Sequence, residues 1–182
     1  PLSWTLAIIL ILSIFSLGIY SQLAPKMIPS SQSLSESMSM SDSIEKLQNF
    51  IEKNPDDFQA LKMLGLAQIG IGNVNESIKA FESAYLINSK DIDLLLQFSS
   101  AIAASQDGKF DGKSKVLIDE ALSLDPQSIQ VLYFSGIVSA HEGNLNGAIE
   151  FWEKALYLMS NDHPDRNIIE EALSTILNLQ VK

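Results

Sequence analysis

Residues 61–87 read LKMLGLAQIGIGNVNESIKAFESAYLI, and residues 132–158 read LYFSGIVSAHEGNLNGAIEFWEKALYL. The two stretches carry the same residue, or the same residue type, at five places, and each pair is separated by 71 residues. The pairs are Gly65 and Gly136, Gly72 and Gly143, Asn73 and Asn144, Phe81 and Trp152, and Ala84 and Ala155. Several independent positions with one common offset indicate an internal repeat, and the apolar residues have helical spacing.

The offset of 71 residues equals two repeats of about 34 residues plus three, and 34 is the length of a tetratricopeptide (TPR) repeat. The middle unit holds the three extra residues, because a long loop over residues 106–112 replaces a tight turn. The small and large residues also resemble the TPR pattern, in which small residues let two antiparallel helices approach and large residues fill the space between pairs. The sequence therefore predicts an all-α fold, a TPR helical-hairpin solenoid.

The turn residues give the bounds of the helices within residues 44–182, the predicted TPR domain. Glycine before asparagine favours the positive φ that ends a first helix, and Asn-Pro or Asp-Pro ends one helix and begins the next. We predict a half repeat, three helix pairs and a closing helix, with the bounds 44–53, 57–70 with 74–87, 91–105 with 112–124, 128–141 with 145–159, and 165–179.

The beginning of the chain has a different character. Residues 2–20, LSWTLAIILILSIFSLGIY, carry no charge and would rise about 28 Å as a helix, close to the roughly 30 Å of a membrane core. Trp4 and Tyr20 lie near its ends, where aromatic rings favour the headgroup level. A cleaved signal peptide is the alternative, but no basic segment precedes the apolar run. We predict an N-terminal transmembrane helix over residues 1–22. Because the chain begins with Pro, we also expect it to be processed or a fragment.

Residues 23–43 are rich in serine and contain two prolines and little apolar mass. Such a segment cannot bury enough apolar surface to offset its ordering entropy, so we predict a flexible Ser-rich linker. Met38 and Met40 alternate there, but a soft metal would need a third ligand that the nearby sequence lacks.

Composition excludes several classes of function. The chain has 12 basic and 22 acidic residues, a net charge of −10, and no cysteine. Because an acidic domain repels phosphate backbones and no basic stripe is present, we expect no nucleic-acid binding. Without cysteine the chain cannot itself provide thiol catalysis, disulfides or thiolate metal sites.

Few residues suggest catalysis. The two histidines, His141 and His163, lack the spacing of metal ligands, which favours structural or surface roles. Asp107 and Asp111 lie in a glycine-containing loop, but the ligand series of a calcium loop and its final Glu are missing. No phosphate-binding glycine loop or nucleophile motif occurs. We therefore predict no catalytic residue, no metal site and no cofactor, and a protein that is not an enzyme.

The first helix of each TPR pair lines a concave groove, and four positions per unit share the helix face that points into it. These positions predict a groove suited to an amphipathic helix, because they are mostly apolar with polar edges. The alternative is that the apolar members are ordinary core. The predicted peptide-binding residues are Gln59, Lys62, Leu66, Ile69, Leu96, Ser100, Ala103, Gln130, Tyr133 and Ile137.

Three segments carry a more specific resemblance. The first is Asn-Pro-Asp-Asp at residues 54–57, followed by ALKMLGLAQIGIGNVNESIKAFESAY. The second is the unusual middle unit, DGKFDGKSKVLIDEALSLDPQSIQVLYFSG, and the third is GAIEFWEKAL followed by a loop and a closing helix. Together with an apolar helix before a Pro-containing linker, they resemble the CcmI/CycH-type cytochrome c maturation factors of bacteria, from the second membrane span onward.

The resemblance implies a TPR chaperone or receptor in the periplasm, attached to the bacterial inner membrane by a single span in this chain. It implies apocytochrome c as a partner, bound chiefly through its C-terminal helix, and delivery to the subunits of the haem-ligation complex. The one charge flanking the span, Lys26, by itself favours the opposite orientation. An alternative is a TPR scaffold for another envelope assembly, such as nitrite reductase maturation, a pilus or secretion.

Overall fold

The structure, a computed structural model, describes the backbone of residues 33–180 and the side chains of residues 40–178. These residues form α-helices joined by short connections, and no strand occurs among them. The helices are α1 (Ser33–Lys53), α2 (Phe58–Gly70), α3 (Val74–Ile87), α4 (Ile92–Ser105), α5 (Gly112–Leu124), α6 (Ile129–His141), α7 (Leu145–Leu158) and α8 (Arg166–Gln180).

The bounds of α2 to α8 agree to within one or two residues with those predicted for the three pairs and the closing helix. The first helix differs. It begins at Ser33 and not at residue 44, so residues 33–43, which the sequence predicts as part of a flexible linker, are helical. The half-buried Met40 lies near Gly70 of α2, which gives this turn of α1 a packing contact that composition does not reveal. The rest of the predicted linker, residues 23–32, lies outside the described residues.

No helix within residues 33–180 has the length and apolar character needed to cross a membrane. The predicted transmembrane helix over residues 1–22 lies outside the described part of the chain.

The helices group into two compact units. Unit 1 contains α1, α2 and α3 with residues 104–108, and unit 2 contains residues 88–103 and everything from residue 109 onward. In unit 1 the buried Ile44 of α1 faces inward, and α2 packs closely against α3 because Gly65 lies under the ring of Phe81. A Cβ at Gly65 would overlap that ring.

Unit 2 repeats this device in α6 and α7. Gly136 lies under the indole of Trp152, and its missing Cβ leaves the space that the indole occupies. The Trp152 indole N–H donates a hydrogen bond to the backbone carbonyl of Tyr133, at 3.1 Å. The recurring small and large residues therefore make the same close contact between the two helices of a pair in each unit.

The turns inside these two pairs also match. Gly72 and Gly143 have φ angles of 82° and 77°, the left-handed region that glycine adopts without strain. The following asparagine N–H donates to the carbonyl five residues earlier, Gln68 in one turn at 2.8 Å and Ser139 in the other at 2.9 Å. This bond closes the end of the first helix, and it confirms the turn positions that the repeat predicts.

Candidate binding surface

The residues of helix α2 lie on two faces, one buried and one accessible to solvent. Ala60, Leu61, Gly65 and Gln68 are buried inside unit 1. The opposite side, which we call the α2 face, carries the predicted residues of the first repeat together with Met63, and its members are Gln59, Lys62, Met63, Leu66 and Ile69. Its apolar centre is open to solvent, since Met63 is 55% and Leu66 is 42% exposed.

Polar groups fix the beginning of this helix and one edge of its face. The Asp57 carboxylate accepts a hydrogen bond from the Ala60 N–H at 2.8 Å and caps the helix. The Lys62 ammonium lies 5.7 Å from the centre of the Phe58 ring. An exposed apolar stripe with a cation at its edge can receive the apolar side of an amphipathic helix. Sequence reasoning missed Met63, because the consensus groove positions do not include it.

The predicted groove residues of unit 2 are placed differently. Leu96, Ala103, Tyr133 and Ile137 are buried, so they are core and not an open groove surface. The reason is that α4 and α6 carry apolar or small residues on almost every side, and α6 is buried continuously over residues 131–139. Burial also raises the pKa of the Tyr133 phenol far above its usual range, which keeps it neutral.

Two predicted residues of unit 2 remain accessible. Gln130 is exposed near the start of α6, and Ser100 of α4 is partly exposed. The Ser100 hydroxyl donates to the Leu96 carbonyl at 2.8 Å within its own helix. In unit 2 the accessible members of the predicted set are therefore scattered polar positions, whereas the α2 face of unit 1 presents exposed apolar side chains.

A second feature was not predicted from the sequence. A cleft of about 330 Å³, which we call the loop cleft, opens between the residues preceding α5 and the end of α6. It is lined by Lys109, Phe110, Asp111, Gly112, Lys115, His141 and Glu142. His141 and Asp111 are far apart in the sequence, and no local pattern shows that these two parts of the chain meet.

Charges of both signs border the loop cleft. The Lys115 ammonium lies 3.3 Å from Asp119 and 3.4 Å from Glu142. Burial opposes the charge of Lys115, but these two carboxylates outweigh it, so the pKa of Lys115 lies above its ordinary value. His141 also lines the cleft. Burial lowers the pKa of its imidazole, and the Asp111 carboxylate offsets this only in part.

The described residues contain no group of three His, Asp or Glu side chains arranged to hold a metal ion. Asp107 lies in the turn after α4 with a φ of 55°, next to Gly108 with a φ of 80°.

Comparison with known proteins gives a consistent result. Residues 19–166 match the family model described as the cytochrome c-type biogenesis protein H TPR domain. The chain is 29% identical over 132 residues to the cytochrome c-type biogenesis protein CycH of Pseudomonas aeruginosa, which covers 72% of this chain and 32% of that protein. It is 25% identical over 124 residues to CcmH of Escherichia coli K12, which covers 68% of this chain and 35% of that protein. The chain thus spans about a third of the length of these relatives.

Among solved structures, a crystal structure of MamA superposes with a TM-score of 0.65 at 16% identity, covering 84% of this chain and 85% of that one. At this identity the similarity shows the fold alone.

Proposed function

The chain belongs to the cytochrome c-type biogenesis family that includes CycH and CcmH, and we propose that it is a membrane-anchored receptor that holds apocytochrome c through its C-terminal helix and delivers it to the haem-ligation complex. In this proposal residues 1–22 form the single membrane span, residues 23–32 form a linker, and the TPR domain lies in the periplasm of a bacterium. The protein acts by binding and not by catalysis.

The observation that carries the proposal is the α2 face. Met63 and Leu66 form an exposed apolar stripe on the first helix of a TPR pair, the helix type that lines the ligand groove of this fold. An amphipathic helix has apolar residues at positions i, i+3, i+4 and i+7, which can cover such a stripe along its length. Unit 1 has its own packed interior, so the stripe is not required to hold the helices of that unit together.

A peptide titration tests the proposal. The full chain is titrated with a peptide of an apocytochrome c C-terminal helix and with a scrambled peptide of the same composition. We expect saturable binding of the first peptide only. Equal binding of both peptides, or of neither, would contradict the proposal.

Two matched variants locate the binding surface. Leu66→Asp places a carboxylate on the α2 face, where a bound helix would desolvate it, so we expect a loss of about 1–3 kcal/mol of binding free energy, roughly 5- to 150-fold in affinity. Leu86→Asp is the control, since Leu86 lies in the same unit and is 80% exposed but belongs to α3. We expect it to bind the peptide as the wild type does. Equal losses in the two variants would show that the α2 face is not the site.

The alternative, a scaffold for another envelope assembly, predicts a different set of partners. A pull-down with the full chain that enriched components of nitrite reductase maturation, a pilus or a secretion system, in place of cytochromes and haem-ligation subunits, would favour it.

A further inference from the structure

The aromatic side chain of Phe110 connects the segment before α5 to α6. The ring centre of Phe110 lies 5.9 Å from that of Phe134 and 6.0 Å from that of His141, and both pairs of rings are tilted by 56°. Phe134 is buried and His141 is the last residue of α6. Phe110 therefore covers the C-terminal part of α6 and forms one wall of the loop cleft.

One nitrogen of the His141 ring has no hydrogen-bond partner beneath Phe110. Its Nε2 atom is buried and makes no hydrogen bond. A neutral imidazole protonated on Nδ1 tolerates this, because Nε2 is then only an acceptor without a partner. An imidazolium carries an N–H and a positive charge at that place, and both need water or an acceptor. The closed arrangement thus fits the neutral ring and not the charged one.

The neighbouring charges do not supply what the imidazolium would need. The segment before α5 contributes Lys109 and Asp111, α5 contributes Lys115, and the end of α6 contributes Glu142. Glu142 is engaged by Lys115. Asp111 attracts a proton onto His141, yet burial outweighs it, and the pKa of His141 stays below its ordinary value of 6.5.

We propose that Phe110 and His141 form a pH-sensitive latch, in which Phe110 lies on the neutral His141 ring and leaves it when the imidazole takes up a proton. Release wets Nε2, uncovers the ring of Phe134 and widens the loop cleft. Unit 2 then gains an apolar surface at low pH that it does not present at neutral pH. This inference does not depend on the proposed binding of apocytochrome c.

Proton linkage determines the direction in which pH shifts the balance between the closed and the open state. The open state holds His141 in water with its ordinary pKa, and the closed state holds it with a lowered one. The open state therefore binds more protons, and acid favours it. Between the two pKa values the population of the open state rises by up to about tenfold per pH unit.

Proton NMR of the full chain tests the latch directly, because the chain has two histidines and their ring signals can be assigned with the variant His163→Gln. Contacts between the Phe110 and His141 rings are followed by NOE from about pH 7.5 to about pH 5, the range in which histidine titrates. We expect the contacts to disappear as His141 titrates, and His163→Gln to behave in the same way. Contacts that persist after His141 is protonated would overturn the proposal.

Two further variants separate the latch from a simple packing role. Phe110→Ala removes the ring that covers His141, so the pKa of His141 should lie nearer to 6.5 in this variant than in the wild type. His141→Phe keeps a ring for Phe110 and removes the titration, so its contacts with Phe110 should survive at pH 5. An unchanged titration of His141 in Phe110→Ala would refute the latch even if His141→Phe failed to fold.

Discussion

The substitution Gly136→Ala tests the packing device on which both units depend. A Cβ at residue 136 would overlap the indole of Trp152, a side chain with almost no solvent exposure. Overpacking of this kind costs about 1–3 kcal/mol. Displacement of the indole also breaks its hydrogen bond to the Tyr133 carbonyl and leaves a buried N–H without a partner, which costs a further 1–3 kcal/mol or so. The higher helix propensity of alanine stabilises the variant by about 1 kcal/mol and offsets part of this loss. The expected net loss is therefore about 3 kcal/mol of unfolding free energy.

Urea titration followed by far-UV circular dichroism measures this loss. Gly70→Ala is the matched control, because Gly70 ends α2 on the surface and an added Cβ would meet nothing closer than the Met40 methyl at 3.7 Å. We expect the control to be as stable as the wild type or slightly more stable, by up to about 1 kcal/mol. If Gly136→Ala were as stable as Gly70→Ala, the close approach of α6 and α7 would not depend on the missing side chain at residue 136.

Three further predictions concern stability. Ser77→Ala should raise the unfolding free energy by about 1 kcal/mol in the same urea assay, because the Ser77 hydroxyl is buried without a hydrogen bond and the equivalent residue of the third repeat is Ala148; a loss of stability would contradict this. Asp57→Ala should cost about 1 kcal/mol, since Asp57 caps α2, whereas Asp111→Ala should cost less, since its side chain makes no cap bond to α5. Equal losses would show that the cap adds nothing. The pKa of His141 is lowered in the folded state, so the unfolding free energy is highest above about pH 6.5. Below that pH it decreases as the pH is lowered, by at most about 1.4 kcal/mol per pH unit. Unfolding measured at neutral pH and at about pH 5 should show this loss in the wild type and not in His141→Phe.

The repeat made the helical hairpins predictable. Gly65 with Phe81 and Gly136 with Trp152 are complementary pairs that reveal both the phase of the helices and their close approach. The turn glycines add the local φ requirement that ends each first helix. These signals are local in sequence, so the helix bounds followed from them closely.

What the sequence did not reveal depends on contacts between distant residues. The repeat pattern gives Leu96, Tyr133 and Ile137 the same groove phase as Leu66, yet they are buried because unit 2 surrounds α4 and α6. Residues 33–43 are helical although their serine-rich composition predicts a linker, and the contact of Met40 near Gly70 is one that composition does not reveal.

The loop cleft is a further example. Phe110 and His141 are 31 positions apart, and their ring contact arises only when the residues just before α5 fold back on α6. Neither residue stands out by itself, since one is an aromatic residue in a polar loop and the other a histidine at a helix end.

Site-specific photo-crosslinking in living bacteria tests the central claim most directly. A photoreactive residue is placed at position 63, on the α2 face, and in a second variant at position 86, which is more open to solvent but lies on α3 of the same unit. We predict that position 63 crosslinks to apocytochrome c and that position 86 does not. Crosslinks to apocytochrome c at neither position, or to the same extent at both, would contradict the account.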